Sequence, residues 1–162
     1  MINNEAFYKN KMDWLSSQVD VEFPTPESIK GRDVYLSQSL TEQLTFTPDA
    51  GLISDTVTVL QVTEHRLTIR WAMTVASQWE NTYDDVLEFL TQVDVSDEYQ
   101  LFVALDGMKP VAACISQIID GTMYVSDVVV NGDSINENGF ISAVMEQQSS
   151  LSGSKFTSCV KL

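Results

Sequence analysis

Two Asp-Gly pairs constrain this chain more than any other feature. Asp106-Gly107 and Asp120-Gly121 separate three runs rich in β-branched and apolar residues: EYQLFVAL (98–105), KPVAACISQII (109–119) and TMYVSDVVV (122–130). A tight turn between antiparallel strands needs positive φ, which glycine adopts without a Cβ penalty, so Asp-Gly between such runs predicts a hairpin. Two in succession predict an antiparallel meander of three strands.

The flanking periodicity supplies the rest. SDTVTVLQV (54–62) reads as a strand. Thr63 then caps a helix running to about Trp79, with Leu67, Trp71 and Val75 in one row and Ala72, Ala76 and Trp79 beside it. DDVLEFLTQ (84–92) is a shorter helix with Val86, Leu87, Phe89 and Leu90 apolar. After the meander, VVVNGDSINENGF (128–140) carries a strand through a polar turn into a helix that ends near Gly153, its apolar face formed by Phe140, Ile141, Val144 and Met145. KFTSCVKL (155–162) reads as a last strand, and a crossover of this length sets it parallel to 122–130. Residues 1–50 form an N-terminal extension to a domain at 51–162. It holds an amphipathic helix near 4–17 with Tyr8, Met12 and Leu15 on one face and a breaker at FPTPES (23–28). The stretch 33–46 is open between hairpin and helix.

Charge narrows the choice of partner. The chain has 23 acidic and 9 basic residues, a net charge of −14. Such a surface repels nucleic-acid backbones and anionic lipid and attracts cations, polyamines or basic proteins. No apolar run approaches membrane-spanning length and the start lacks the apolar core of a secretory signal, so a cytoplasmic location is expected. Cys114 and Cys159 fall on strands separated by a third, too far apart for a disulfide, and are read as free thiols.

The order strand, two helices, three antiparallel strands, helix, strand resembles the GNAT acyltransferase superfamily, with LFVALDGMKPVAACISQIIDGTMYVSDVVV (101–130) matching its central antiparallel segment. The resemblance implies a three-layer α/β/α fold of the α+β class, its mixed and mostly antiparallel sheet ending in a parallel strand. It further implies acetyl-CoA in a gap beside the third meander strand. Pantetheine would pair with the backbone of Ser126 to Val130, including Val128, Val129 and Val130. Asn136, Glu137, Asn138 and Gly139 would face the pyrophosphate, and Asp127 would serve as the base that deprotonates an amine.

The residues depart from the family at the pyrophosphate loop. Its pattern of Gln or Arg, two residues, Gly, one residue, then Gly or Ala falls on Ser134 to Gly139, and only Gly139 fits. Ser134-x-x-Glu137 instead has the form of a capping box, which would satisfy the helix start internally. Glu137 would then stand where a phosphate is needed, and like charges about 4 Å apart repel by about 4 kcal/mol near a protein surface. No Lys or Arg lies between Lys109 and Lys155 to offset this. The chain also stops where the family continues into further strands that complete the acceptor site.

Other candidates are weaker. His65 has no nucleophile beside it, and Asp84, Asp85 and Glu88 have the spacing of a solvated helix face rather than of a metal site. Trp14, Trp71 and Trp79 occupy apolar helical positions and read as core, and Asp127 reads as an outward-facing strand residue before it reads as a base. The sequence therefore predicts a GNAT-like protein that is not catalytic, needs no cofactor or metal, and binds a protein partner or basic ligand, the edge of the final strand offering a pairing surface for either a protein partner or self-association. The alternative is a divergent acetyl-CoA-dependent N-acetyltransferase acting on an amine.

Overall fold

The structure is a computed structural model and describes residues 4–19, 24–37, 44–46, 51–94, 98–119, 121–152 and 158–161. In chain order the elements are α1 (Asn4–Ser16), α2 (Pro26–Leu36), β1 (Leu44–Phe46), β2 (Val57–Gln61), α3 (His65–Ala76) and α4 (Tyr83–Leu90). Then come β3 (Gln100–Asp106), β4 (Lys109–Ile119), β5 (Thr122–Val130), α5 (Glu137–Ser152) and β6 (Ser158–Lys161). Among the described residues, six strands form one sheet in the order β1-β6-β5-β4-β3-β2, every pairing antiparallel except β5 with β6. The meander and the parallel crossover are as the sequence implied, with Gly107 at φ 63° and Gly121 at φ 77° in the two turns.

The sheet separates two cores. On one face Leu101, Val103, Ala113 and Ile115 pack against helices α1 to α4 through Phe7, Tyr35, Trp71 and Phe89. On the other Phe102, Ala104, Ala112 and Met123 pack against α5 through Phe140, Ile141 and Val144. Neighbouring strand residues point to opposite faces, so one strand feeds both layers. This is an α+β, three-layer arrangement. The buried Trp71 indole N–H has a partner in the Cys114 carbonyl at 3.0 Å, as a buried donor requires. Trp14 and Trp79 also pack against the helical core, Trp14 stacked on Tyr99 with ring centroids 4.4 Å apart.

Residues from the first fifty join this body. Thr25 caps α2 by accepting from the Ser28 N–H at 3.1 Å, and Pro26 follows it in the first turn, where its missing N–H costs nothing. Gly31 of α2 lies so close to α4 that an added Cβ would meet the Asp85 carbonyl oxygen at 1.9 Å. β1 pairs with the outer side of β6.

Four expectations are corrected. The flanking residue of α3 is Glu64, not Thr63, and it makes no side-chain cap. The buried row of α1 is Phe7, Lys11 and Leu15; of the expected face Leu15 is buried, Met12 only partly packs against the core, and the Tyr8 side chain lies outside the described residues. The start of α5 is capped by Asn136, not by a Ser134–Glu137 box. The final strand is not an open edge, because β1 covers it. The expected free thiol of Cys159 falls on a side chain outside the described residues, and α5 is described to Ser152, one residue before the expected end near Gly153.

Candidate functional site

β5 carries a bulge at its centre. Ala113 faces Val129 and Ile115 faces Ser126, so Asp127 and Val128 together oppose the single residue Cys114. Asp127 has φ 55°, in the left-handed region that costs a non-glycine residue roughly 1–2 kcal/mol. The extra residue shifts the alternation. Before it Met123 and Val125 face α5; after it Val128 and Val130 do. Asp127, which would have followed Met123 and Val125, is turned to the helical layer instead. Its expected outward orientation is therefore corrected: the side chain is 4% exposed.

Three side chains meet it there. Lys11 Nζ of α1 donates to Oδ2 at 2.8 Å, the Tyr35 hydroxyl of α2 to Oδ1 at 2.7 Å, and the neighbouring Ser126 Oγ to Oδ2 at 2.9 Å. The Lys11 side chain is only 3% exposed. Burial pushes the Asp127 carboxyl upward, but the Lys11 charge and the hydrogen bonds from Lys11, Tyr35 and Ser126 outweigh it and hold the group below the ordinary carboxylate range. Tyr35 is fully buried and tilts against Trp79 and Phe89 at 5.9 and 5.8 Å between centroids. The cluster is a satisfied, ionised, water-excluded ion pair that ties two N-terminal helices to the bulge.

Beyond the bulge, β5 leads to the start of α5, where a second closure lies. The Asn136 N–H donates to the Leu52 carbonyl at 2.9 Å, and the Leu52 N–H donates to Asn136 Oδ1 at 2.9 Å. The Ser54 N–H donates to the Ser134 carbonyl at 2.7 Å, with Ile53 bridging Ile135 in antiparallel fashion. Asn136 Oδ1 also accepts the Gly139 N–H at 2.8 Å, and the Phe140 N–H returns to the Asn136 carbonyl. Two glycines permit the approach: a Cβ on Gly139 would meet the Leu52 carbonyl oxygen at 2.3 Å, and one on Gly51 would meet the Gly139 nitrogen at 2.1 Å. Segment 51–54 thus forms a backbone seam over the turn expected to hold a pyrophosphate.

β6 pairs, among the described residues, with Thr122–Val125. Among the described residues, no strand continues that pairing along Ser126–Val130. Of the expected site residues, Asp127 and Val128 to Val130 lie in and beyond the bulge, and Asn136 to Gly139 at the helix start. Glu137 and Asn138 begin α5, Glu137 half-buried and Asn138 exposed. Lys11, Tyr35 and the seam at 51–54 were missed by sequence reasoning. Only Lys11 left a trace, as a lysine at the middle of a row with Phe7 and Leu15 at helical spacing. His65 is exposed at the start of α3, and no metal-binding group of three or more His, Cys, Asp or Glu occurs among the described residues.

The strand order, the crossover and the layers agree with the three-layer α+β fold that the resemblance drawn from the sequence implies. No family model and no curated protein matches the chain. Among solved structures it is similar to an aminoglycoside acetyltransferase from an uncultured soil metagenomic sample in complex with sisomicin. The identity is 12% over 67% of this chain and 78% of that one, with a TM-score of 0.47. A structure of that acetyltransferase in complex with trehalose is similar at 15% identity over 62% and 74% of the two chains, with a TM-score of 0.44. Among the described residues, no helix is long and apolar enough to cross a membrane.

Proposed function

We propose that this protein does not transfer acyl groups and acts by binding, presenting its acidic exterior to a basic protein segment or polycation. The seam between 51–54 and 134–139 carries the reading. A diphosphate at a helix start is held by free backbone N–H groups. Here those of Asn136, Gly139 and Phe140 already have partners within the chain, and Leu52 and Ser54 are bonded across the turn. The residues present do not fit acetyl-CoA. Asp127 adds support, because a general base works best with a pKa near the working pH and within reach of its substrate. This carboxylate is depressed and buried instead.

A thermal-shift titration with CoA and acetyl-CoA tests the first half. A ligand at 100 times its Kd stabilises a protein by about 2.7 kcal/mol, so an authentic cofactor raises Tm clearly at about 1 mM. No shift is expected, and a saturable one would overturn the reading. Titration with polylysine tests the second half. Association that weakens as salt screens it is expected, and absence of association at low salt counts against a cationic partner.

One observation favours a second reading. Among the described residues, β5 pairs with β6 along Thr122–Val125 and not along Ser126–Val130. In a divergent N-acetyltransferase, pantetheine would pair with Val128, Val129 and Val130 along that stretch. Asn136, Glu137, Asn138 and Gly139 would meet the pyrophosphate only after segment 51–54 had moved away.

A further inference from the structure

A second place in the molecule has binding chemistry of its own. The end of α3, the start of α4 and the adjoining ends of β4 and β5 enclose an open pocket of about 270 Å³. That is about nine water volumes, at the small end for ligand sites. Met73, Pro110 and Tyr83 supply apolar surface, while Ser77, Asn131 and Lys109 supply polar groups. The frame is braced across elements: the Asn131 side-chain amide donates to Ser77 Oγ at 3.1 Å, and its backbone N–H donates to the Val111 carbonyl at 2.8 Å.

Charge distinguishes this pocket from the rest of a strongly acidic chain. None of the lining residues is a carboxylate. The other cations with described side chains are engaged: Lys9, Lys11, Lys30, Arg32 and Arg66 with carboxylates, and Arg70 with the Met108 carbonyl. The Lys109 side chain has no ion pair or hydrogen bond among the described residues, although Asp106 stands opposite it in the hairpin register. The pocket also adjoins the C-terminal end of α3, where unpartnered carbonyls would repel an anion. The carbonyls there are occupied: Thr74 accepts the Ser77 N–H and hydroxyl, Val75 the Gln78 N–H, and Ala76 the Trp79 N–H.

We propose that this pocket binds a small amphipathic carboxylate, its head on Lys109 and Asn131 and its apolar body against Met73, Pro110 and Tyr83. Met108, next to Lys109 in the β3–β4 turn, and Ile69, one helical turn before Met73, are also exposed. Methionine adapts its shape to varied apolar bodies, so the site selects by head group more than by outline.

The test is a two-dimensional amide NMR titration of the full chain with hexanoate, beside hexylamine and hexan-1-ol. Hexanoate is expected to shift the amides of Ser77, Tyr83 and Asn131 with a Kd of about 1 mM, a reasonable affinity for so few atoms. Lys109→Met should weaken it about fivefold, Lys109→Arg should retain it, and Asp106→Asn should tighten it. Equal binding of the amine or the alcohol overturns the proposal. So does an unchanged affinity in Lys109→Met, or shifts confined to other parts of the molecule. The outcome is separable from the CoA titration, because Lys109 takes no part in either closure around β5 and α5.

Discussion

At the Asp127 bulge the chain closes itself with side-chain charge; at the start of α5 it does so mainly with backbone groups, helped by one neutral side chain, Asn136. The first closure joins residues 116 positions apart through a buried ion pair. The second lays a short loop over a turn and needs two glycines to let the backbones touch. The difference lies in what each tolerates. A buried ion pair is well satisfied only while every partner is present, since a lone charge left in a dry interior is costly. The seam depends on the identity of one neutral side chain, Asn136, and is otherwise sensitive to a single added methyl.

The largest effect should come from Lys11→Met, which leaves Asp127 buried without its counter-charge. Removing one member of a buried pair costs about 3–5 kcal/mol, to be read by urea denaturation of both proteins. A loss below about 1 kcal/mol would mean that charge does not hold α1 to the bulge. Acid titration checks the same cluster with a worked sign. Asp127 is depressed in the folded state, so its contribution is full above roughly pH 4, its unfolded value. It is lost as pH falls through the lower native value. Lys11→Met should lose this acid-side dependence.

Gly139→Ala comes next. Its Cβ would meet the Leu52 carbonyl, and overpacking of this kind costs about 1–3 kcal/mol, partly offset by the roughly 1 kcal/mol that alanine gains over glycine in a helix. Amide exchange should quicken at Ser54 and Asn136, whose N–H groups cross the seam; unchanged exchange there would show that the seam is not closed by this contact. The smallest effect belongs to Asn136→Ala. It removes the acceptor shared by the Leu52 and Gly139 N–H groups and should cost about 1 kcal/mol in thermal or chemical denaturation, the usual loss for a helix cap. Asn136→Asp keeps an acceptor and should come close to the parent.

Most of the fold was legible because local chemistry specified it. β4 and β5 have the bounds that the Asp-Gly turns and alternating runs implied. Pro26 after Thr25 marks the start of α2 within a stretch read only as a breaker. The candidate site was harder to see. Asp127 and the start of α5 were found through the resemblance, but the direction of Asp127 follows from a one-residue bulge, and strict alternation gives the opposite face. The cap of α5 was placed two residues early because Ser134 and Glu137 have the right spacing, while the helix begins later, at Glu137. Residues 44–46 were legible as neither strand nor helix, since a three-residue strand has too few positions to show a period.

By itself the sequence determined the meander, the helices on either side and the parallel crossover. Each depends on neighbours within a few residues, where turn chemistry and periodicity act directly. Only the tertiary structure decided that Lys11 and Tyr35 converge on Asp127, and that 51–54 lies across 134–139. Those contacts depend on one bulge, one positive φ and the docking of distant segments. No pattern of spacing along the chain encodes that geometry, because it is set by how the layers pack once they have formed.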